Sequence, residues 1–339
     1  MNDAFVRTRR EALGHLGLLF GAALLPSWAP SRAESLDSGD QSARSPRVNS
    51  WVPGLQLYTL GDAPAKDLDG TLKQVAGIGF RAVELAMAYD RSAQQLRQAF
   101  SQAGLICPSI HVVAQPTPGF WSLRSDMSKL ATDFNTIGAS YAVLSAPLLP
   151  ERVTQALNNP PAGGLDIAAL SRLFGSLDGD DWKRTADLLN EKGAVLSRAG
   201  VRIAYHNHAM EFLPQAGSLN GFEILLANTD PKLVDFQLDV GWAVSAGQDL
   251  ERLFQLAAGR IRLMHLKDTK QRSKQVMELA STDVGTGIVD WQKLAVHIRR
   301  ADVRQLFVEQ EPPFPGPPLD SVRVAYRFLS NLFEQARPA

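Results

Sequence analysis

The sequence is poor in several features that define common classes of protein. It has one cysteine, Cys107, so no disulfide can form within the chain and packing must stabilise the fold. Its 35 basic residues are balanced by 35 acidic residues. A chain without a basic surplus is a poor partner for nucleic acid or for an anionic membrane surface. No Gly-x-Gly-x-x-Gly segment follows the first predicted strand and no phosphate-binding loop is present, which argues against a nucleotide-binding sheet.

The first fifty residues differ in composition from the rest. Three arginines, Arg7, Arg9 and Arg10, precede an apolar run from Leu13 to Leu25, and residues 31–33 offer a cleavage site. This is the pattern of an export signal of the twin-arginine type. The run is shorter than the ~20 residues of a spanning helix, so no stable membrane anchor is expected. We therefore predict a twin-arginine-type signal peptide at 1–33, a flexible linker at 34–50, a catalytic domain at 51–335, and a periplasmic or secreted location.

Beyond residue 51, short apolar runs alternate with longer amphipathic segments. The runs predict eight strands, at Gly54–Leu60, Ala82–Ala86, Ile110–Val113, Tyr141–Ser145, Arg202–His206, Leu233–Leu238, Ile261–Leu266 and Gln305–Glu309. Eight strands that alternate with helices over this length predict an α/β fold, a single (β/α)₈ TIM barrel. A doubly wound sheet is the competing interpretation, and the missing glycine motif argues against it.

Polar side chains stand at the ends of the last four predicted strands. His206, His208 and Glu211 close the fifth, and His206 and His208 share a face because the side-chain period of a strand is two. In a barrel the carboxyl ends of the strands meet at one face, where active sites are built. The set that offers three carboxylates and one imidazole is Glu211, Asp239, His265 and Glu309. Such an oxygen-rich set predicts a divalent metal, with Mn²⁺ first and Mg²⁺, Co²⁺ or Zn²⁺ as alternatives.

These motifs resemble the sugar phosphate isomerase/epimerase family of xylose isomerase-like barrels. The resemblance rests on His206-Asn207-His208, Leu238-Asp239-Val240-Gly241-Trp242, His265-Leu266-Lys267-Asp268 and Val308-Glu309-Gln310. It implies that Glu211, Asp239, His265 and Glu309 hold the metal, and that Glu211 and Glu309 move the substrate proton on the two faces of a metal-stabilised enediolate. The expected function is an isomerase or epimerase acting on a sugar or keto-sugar, with His208 as a further acid or base.

The chain departs from the ketose epimerases at positions expected to contact the substrate. Trp242 stands where those enzymes carry a histidine, and Lys267 and Asp268 follow the expected metal ligand His265. The alternative function is therefore a lyase or dehydratase that eliminates a leaving group from a 3-keto-glycoside or keto-inositol on the same metal site. Export favours this alternative, because phosphorylated sugars are cytoplasmic metabolites. A sugar-binding protein without activity stays open.

Six residues are expected to bind a small sugar or glycoside: Gln56, Glu84, His111, His206, Trp242 and Lys267. Gln56 and Glu84 interrupt apolar strands and would point into the mouth of the barrel. Each residue has a plainer structural interpretation as well. Packing alone would account for Trp242, and a surface salt bridge would account for Lys267. Assembly into a homo-oligomer also stays open.

Overall fold

The computed structural model describes residues 53–161, 163–215 and 219–335. The predicted signal peptide and linker lie outside the described residues, so both stay predictions. No helix among the described residues is long and apolar enough to cross a membrane.

Eight parallel strands close into a barrel, which confirms the predicted fold. The strands are β1 Gly54–Gln56, β2 Ala82–Leu85, β3 Ile106–Val112, β4 Tyr141–Leu144, β5 Arg202–His206, β6 Val234–Asp239, β7 Ile261–Leu266 and β8 Gln305–Val308. Each strand pairs with its neighbours in the chain, and β8 closes the ring on β1 with Gly54 opposite Phe307. A two-stranded antiparallel ribbon, Asp268–Thr269 with Ser281–Thr282, follows β7.

Helices surround the barrel and connect its strands. They are α1 Ala63–Lys66, α2 Leu68–Ile78, α3 Ala93–Ala103, α4 Met127–Ile137, α5 Glu151–Asn158, α6 Ile167–Phe174, α7 Gly179–Ser197, α8 Gly221–Asn228, α9 Val240–Ser245, α10 Leu250–Leu256, α11 Trp291–Arg300 and α12 Pro318–Gln335. Two 3₁₀ helices, Leu57–Leu60 and Met210–Phe212, follow β1 and β5. Side chains cap several helices: Ser92 accepts from the Gln95 N–H at the start of α3, and Asp239 accepts from the Trp242 N–H at the start of α9.

The barrel interior is apolar below the layer formed by the carboxyl ends of the strands. Ala82, Tyr141, Val143, Ala204, Leu263 and Phe307 form a separate buried cluster there. A Cβ at Gly54 of β1 would lie 2.7 Å from the ring of Phe307 on β8. Only glycine at this position of β1 leaves room for the aromatic side chain. Because side chains alternate along a strand, the next inward positions lie one layer higher, and several of them are polar.

The predicted first strand is longer than the observed one. The strand ends at Gln56, where the side-chain Oε1 accepts a hydrogen bond from the Tyr58 N–H at 3.3 Å. This local bond replaces ladder pairing, and residues 57–60 form a 3₁₀ turn. The turn brings Tyr58 over the mouth of the barrel.

Candidate active site

Four side chains from the carboxyl end of the barrel converge on one point. His206, Asp239, His265 and Glu309 each offer one ligand atom, and these atoms lie within 4.8 Å of one another. His265 Nδ1 lies 2.6 Å from Glu309 Oε2 and 3.9 Å from Asp239 Oδ2. His206 Nε2 also lies 3.9 Å from Asp239 Oδ2. Two imidazole nitrogens and two carboxylate oxygens at this spacing suit a divalent transition metal.

The Asp239 carboxylate supports this interpretation of the cluster. Its Oδ1 accepts a hydrogen bond from the Trp242 N–H at 2.9 Å, which fixes the side chain at the start of α9. Its Oδ2 is buried and accepts no well-aligned hydrogen bond within the described part of the chain, and its charged neighbour is the Lys267 ammonium at 3.0 Å. A buried carboxylate oxygen that lacks a well-aligned hydrogen bond is costly, and a metal ion at this point would give it a direct ligand. The residues present therefore fit a divalent metal.

Gln237 fixes the orientation of two imidazole rings. Its Oε1 lies 2.9 Å from His206 Nδ1 and 2.9 Å from His111 Nε2. Because an amide oxygen only accepts hydrogen bonds, both ring nitrogens must carry the proton in these contacts. His206 is therefore left with an Nε2 lone pair directed toward Asp239, as a metal ligand requires.

Glu84 lies beneath the cluster and binds several polar groups at once. Its carboxylate accepts hydrogen bonds from Gln56 Nε2 at 2.9 Å, from Gln237 Nε2 at 2.8 Å and from the Ser109 hydroxyl. It also lies 2.5 Å from His265 Nε2 and 3.1 Å from His111 Nε2. Burial opposes ionisation of Glu84, but these two imidazoles outweigh it and hold its pKa well below the usual range.

The pKa of His265 shifts in the opposite direction to that of Glu84. Burial lowers its pKa, but Glu309 and Glu84 outweigh burial and raise the pKa to about 10. The ring is therefore positively charged in the metal-free site at neutral pH. A metal ion bound at Nδ1 would replace the proton held there, and Glu84 would keep the proton on Nε2.

The structure does not bring Glu211 into this cluster, which corrects the sequence-based ligand set. Glu211 lies in the 3₁₀ helix after β5, fully buried. Its Oε1 accepts the Tyr205 hydroxyl at 2.6 Å and its Oε2 accepts the His208 N–H at 2.9 Å. Tyr205 faces away from the barrel interior, because its neighbours Ala204 and His206 face inward. Glu211 therefore braces the loop that carries His208, and His206 takes the fourth position of the cluster.

Lys267 is buried among three carboxylates. Its Nζ lies 2.8 Å from Glu309 Oε2, 3.0 Å from Asp239 Oδ2 and 2.5 Å from Glu311 Oε1. Burial lowers its pKa, but these carboxylates outweigh burial and raise the pKa well above the usual range. Lys267 is therefore a buried ammonium, and the surface salt bridge considered for it is excluded.

Trp242 packs in the wall of the site. It is 2% exposed, and its Nε1 donates to Glu311 Oε1 at 3.1 Å. Its ring lies 5.6 Å from Lys267 Nζ and 5.4 Å from the His208 ring. Trp242 thus positions Glu311 and encloses Lys267, and its burial leaves little surface for stacking on a sugar.

A pocket opens to solvent above the cluster. Its polar wall consists of Gln56, His111, Ser145, His206, His208, Glu309 and Glu311. Tyr58, Ala86, Val113 and Phe120 line the other parts. No lysine or arginine of the described ranges lines it.

His208 carries a ring nitrogen that no side chain of the site holds. Its Nδ1 is buried and has no hydrogen-bond partner among the described residues. Burial, with the Lys267 charge, lowers its pKa to about 3, so the ring is neutral at physiological pH. A neutral imidazole beside a pocket can accept a proton from a bound molecule.

Sequence reasoning did not single out Gln237 and Ser109. Gln237 orients two imidazoles, and Ser109 binds Glu84. The alternation of side chains along a strand could have identified both residues. Gln237 precedes Asp239 by two residues in β6, and Ser109 precedes His111 by two residues in β3. A position two residues before a site residue faces the same side of the sheet.

Comparison with known proteins identifies the family. The family model described as xylose isomerase-like TIM barrel matches residues 72–332. The chain belongs to this family, as the sequence motifs predicted.

An inosose dehydratase of Geobacillus kaustophilus (strain HTA426) is 24% identical over 252 residues, which cover 71% of this chain and 73% of that protein. A sugar phosphate isomerase/epimerase structure from Parabacteroides distasonis ATCC 8503 has a TM-score of 0.60 at 21% identity, covering 81% of this chain and 96% of that chain. The structure of IOLI protein with a bound zinc atom has a TM-score of 0.59 at 17% identity, covering 85% and 100% of the two chains. At these identities the two structures show a shared fold.

Proposed function

We propose that this protein is a metal-dependent carbon–oxygen lyase acting on an uncharged keto-inositol or keto-glycoside. One observation carries this choice over an epimerase. The groups able to transfer protons at the pocket wall are chemically unequal, because His208 is neutral and Glu311 is paired with the buried Lys267 ammonium behind it. An elimination needs a base for the C–H proton and a different group that protonates the departing oxygen, whereas a two-base epimerase needs two groups that can exchange these roles.

The metal would be held by His206, Asp239, His265 and Glu309. A bound divalent ion would polarise a substrate carbonyl and so acidify the neighbouring C–H bond. Two imidazoles among four ligands disfavour Mg²⁺, which prefers oxygen. Mn²⁺, Co²⁺ and Zn²⁺ are therefore the candidates, and the sequence-based preference for Mn²⁺ stays a proposal.

The side chains then divide the work of the elimination. His208 takes the proton from the carbon beside the carbonyl, and the carbon–oxygen bond at the next carbon breaks. Glu311 lines the pocket and passes a proton from the charged Lys267 behind it to the departing oxygen. One C–H and one C–O bond break, a C=C bond forms, and water or an alcohol leaves.

The pocket lining favours an uncharged substrate. Two carboxylates, Glu309 and Glu311, reach the pocket, and no cationic side chain of the described ranges lines it. A phosphate group would be repelled by these carboxylates and would find no arginine or lysine to bind. An unphosphorylated polyol ring could instead bond to Gln56 and His111 and rest against Phe120. A periplasmic or secreted location, as proposed from the N-terminus, would expose the protein to such glycosides.

An isomerase or epimerase is the second candidate, because Glu309 and His208 reach the pocket from different sides. Glu309 follows β8 and His208 follows β5, with β6 and β7 between them in the barrel. A proton could be removed on one face of the substrate by one of them and returned on the other face by the other.

Proton NMR in D₂O separates these functions. Purified protein loaded with Mn²⁺, Co²⁺ or Zn²⁺ is incubated with ketoses, inososes and 3-keto-glycosides. The lyase predicts loss of water or aglycone and a new olefinic or dicarbonyl product. Deuterium exchange with an isomeric sugar and no loss would instead establish the epimerase. Asp239→Asn should abolish either reaction, whereas Asp302→Asn, a half-exposed change in the loop before β8, should not.

A further inference from the structure

The position of Lys267 conflicts with the position that a metal ion would take. Asp239 Oδ2 and Glu309 Oε2 are the carboxylate oxygens of the four-residue cluster, and both contact the Lys267 ammonium, at 3.0 and 2.8 Å. A divalent cation bound to these oxygens would lie within a few ångströms of a fixed positive charge. Like charges at that separation in a buried site repel strongly.

We propose that Lys267 is a tethered cation that competes with the metal for Asp239 and Glu309, and that metal binding drives it onto Glu311 alone. The inference rests on the proposed metal dependence and adds a role for a residue outside the ligand set. In the metal-free protein Lys267 balances the carboxylates, and in the metal-bound protein it pairs with the acid that lines the pocket.

The charges of the site indicate that Lys267 and a metal ion are present together, rather than that the lysine takes the place of the metal. In the metal-free site Glu84, Asp239, Glu309 and Glu311 carry four negative charges, and Lys267 and protonated His265 supply two positive charges. The net charge of these side chains is −2, and a divalent ion that replaces the His265 Nδ1 proton would bring it to −1. Leaving the larger charge buried and unbalanced would be costly, so lysine alone is a poor substitute for lysine and metal together.

The local packing holds the lysine stem and Glu311 in place around the ammonium. A Cβ at Gly241 would lie 2.8 Å from Lys267 Cγ, so the glycine at the start of α9 makes room for the lysine stem. Glu311 Oε1 already contacts Nζ at 2.5 Å and is held in place by Trp242 Nε1 at 3.1 Å. With the stem and Glu311 held, the proposal requires only rotation about the terminal side-chain bonds of Lys267, which moves Nζ off Asp239 while its contact with Glu311 persists.

The test measures metal affinity without substrate. Full-length protein is freed of metal with a chelator and titrated with Zn²⁺ by calorimetry and with Co²⁺ by visible absorption. Lys267→Met should bind Zn²⁺ more tightly than wild type, on the order of tenfold. Lys293→Met, which removes an exposed lysine from α11, should bind like wild type. The Co²⁺ spectrum should keep its shape in Lys267→Met, because the lysine nitrogen is not a ligand.

Equal or weaker binding by Lys267→Met, or a changed Co²⁺ spectrum, would overturn the inference while leaving the metal site in place. If neither protein binds metal, the proposed function and the inference both fail. If only Lys267→Met binds metal, competition is upheld and the metal-dependent function of the natural protein is overturned. Should Lys267→Met not fold, the charge-balanced Lys267→Met/Glu311→Gln variant replaces it and must also bind more tightly than wild type.

Discussion

His265 lies between the carboxylates of Glu84 and Glu309, with Nε2 2.5 Å from the first and Nδ1 2.6 Å from the second. The two contacts fix both the plane of the ring and the direction of each nitrogen. Glu84 belongs to the layer below the cluster and Glu309 to the cluster itself. A metal ligand whose other nitrogen bonds to a buried carboxylate is held ready to bind.

Glu84→Gln should weaken metal binding without removing a ligand. The amide keeps the volume of the side chain but loses the charge that orients His265. We expect metal affinity to fall roughly 10- to 100-fold, as for other groups that support a metal ligand. Calorimetric titration of the metal-free protein checks this, with Glu191→Gln on the outer helix α7 as the control. Unchanged affinity in Glu84→Gln would show that Glu84 does not orient the ligand.

Glu211 should make the stability of the metal-free protein dependent on pH. Burial is the main cause that raises the pKa of this carboxyl from 4.5 to about 7 in the folded protein. Between these two pH values the folded state therefore keeps a proton that the unfolded state has released. The contribution of Glu211 to the free energy of unfolding is therefore most favourable below pH 4.5, and it falls as the pH rises to about 7. The loss amounts to roughly 3 kcal/mol.

Glu211→Gln imitates the protonated acid and should remove that loss. Urea unfolding at pH 5 and pH 8 should show the variant gaining stability relative to wild type at the higher pH. Glu191→Gln should show no such relative gain. Parallel pH dependence in wild type and Glu211→Gln would contradict the assignment of this carboxyl as a buried, non-ligating group.

Asp268 should be a major source of stability in the loop after β7. Its carboxylate accepts five hydrogen bonds, from the backbone N–H groups of Thr269, Gly285, Gly287 and Val289 and from Trp291 Nε1. Asp268→Ala would leave several of these donors buried and unpaired, at a cost of at least about 3 kcal/mol in unfolding free energy. Urea denaturation measures it. Asp187→Ala, exposed on α7, should change stability by less than about 0.5 kcal/mol, and a similar small effect for Asp268→Ala would refute the role.

Most of the barrel could be predicted from the sequence because buried parallel strands are apolar runs of characteristic length. The strands Arg202–His206 and Ile261–Leu266 were predicted at their observed bounds. Each begins shortly after a glycine with positive φ, Gly200 at 77° and Gly259 at 74°, which ends the preceding segment clearly. The first strand was predicted too long, because the Gln56 side chain accepts a hydrogen bond from the Tyr58 N–H and the backbone continues as a 3₁₀ helix. The apolar pattern of the sequence does not reveal such a hydrogen bond.

The candidate site was accessible to sequence reasoning only where a strand fixes the direction of a side chain. Asp239 and His265 lie in strands and Glu309 directly after one, and the structure brings them together. Glu211 lies past the end of β5, where the alternation of side chains no longer applies and the turn at 210–212 points it toward Tyr205. The hydrogen bonds of Gln237 and the position of Lys267 among carboxylates depend on contacts between distant strands, which a single sequence does not display.

The metal content of four variants tests the central claim most directly. Wild-type protein, reconstituted with Zn²⁺ or Mn²⁺ and desalted, should retain one ion per chain by elemental analysis. His206→Gln and Asp239→Asn should lose it, because each removes a ligand. Glu211→Gln and the outer-helix control His297→Gln should retain it. A metal-free wild type, or loss of metal from Glu211→Gln together with retention in His206→Gln, would contradict the account.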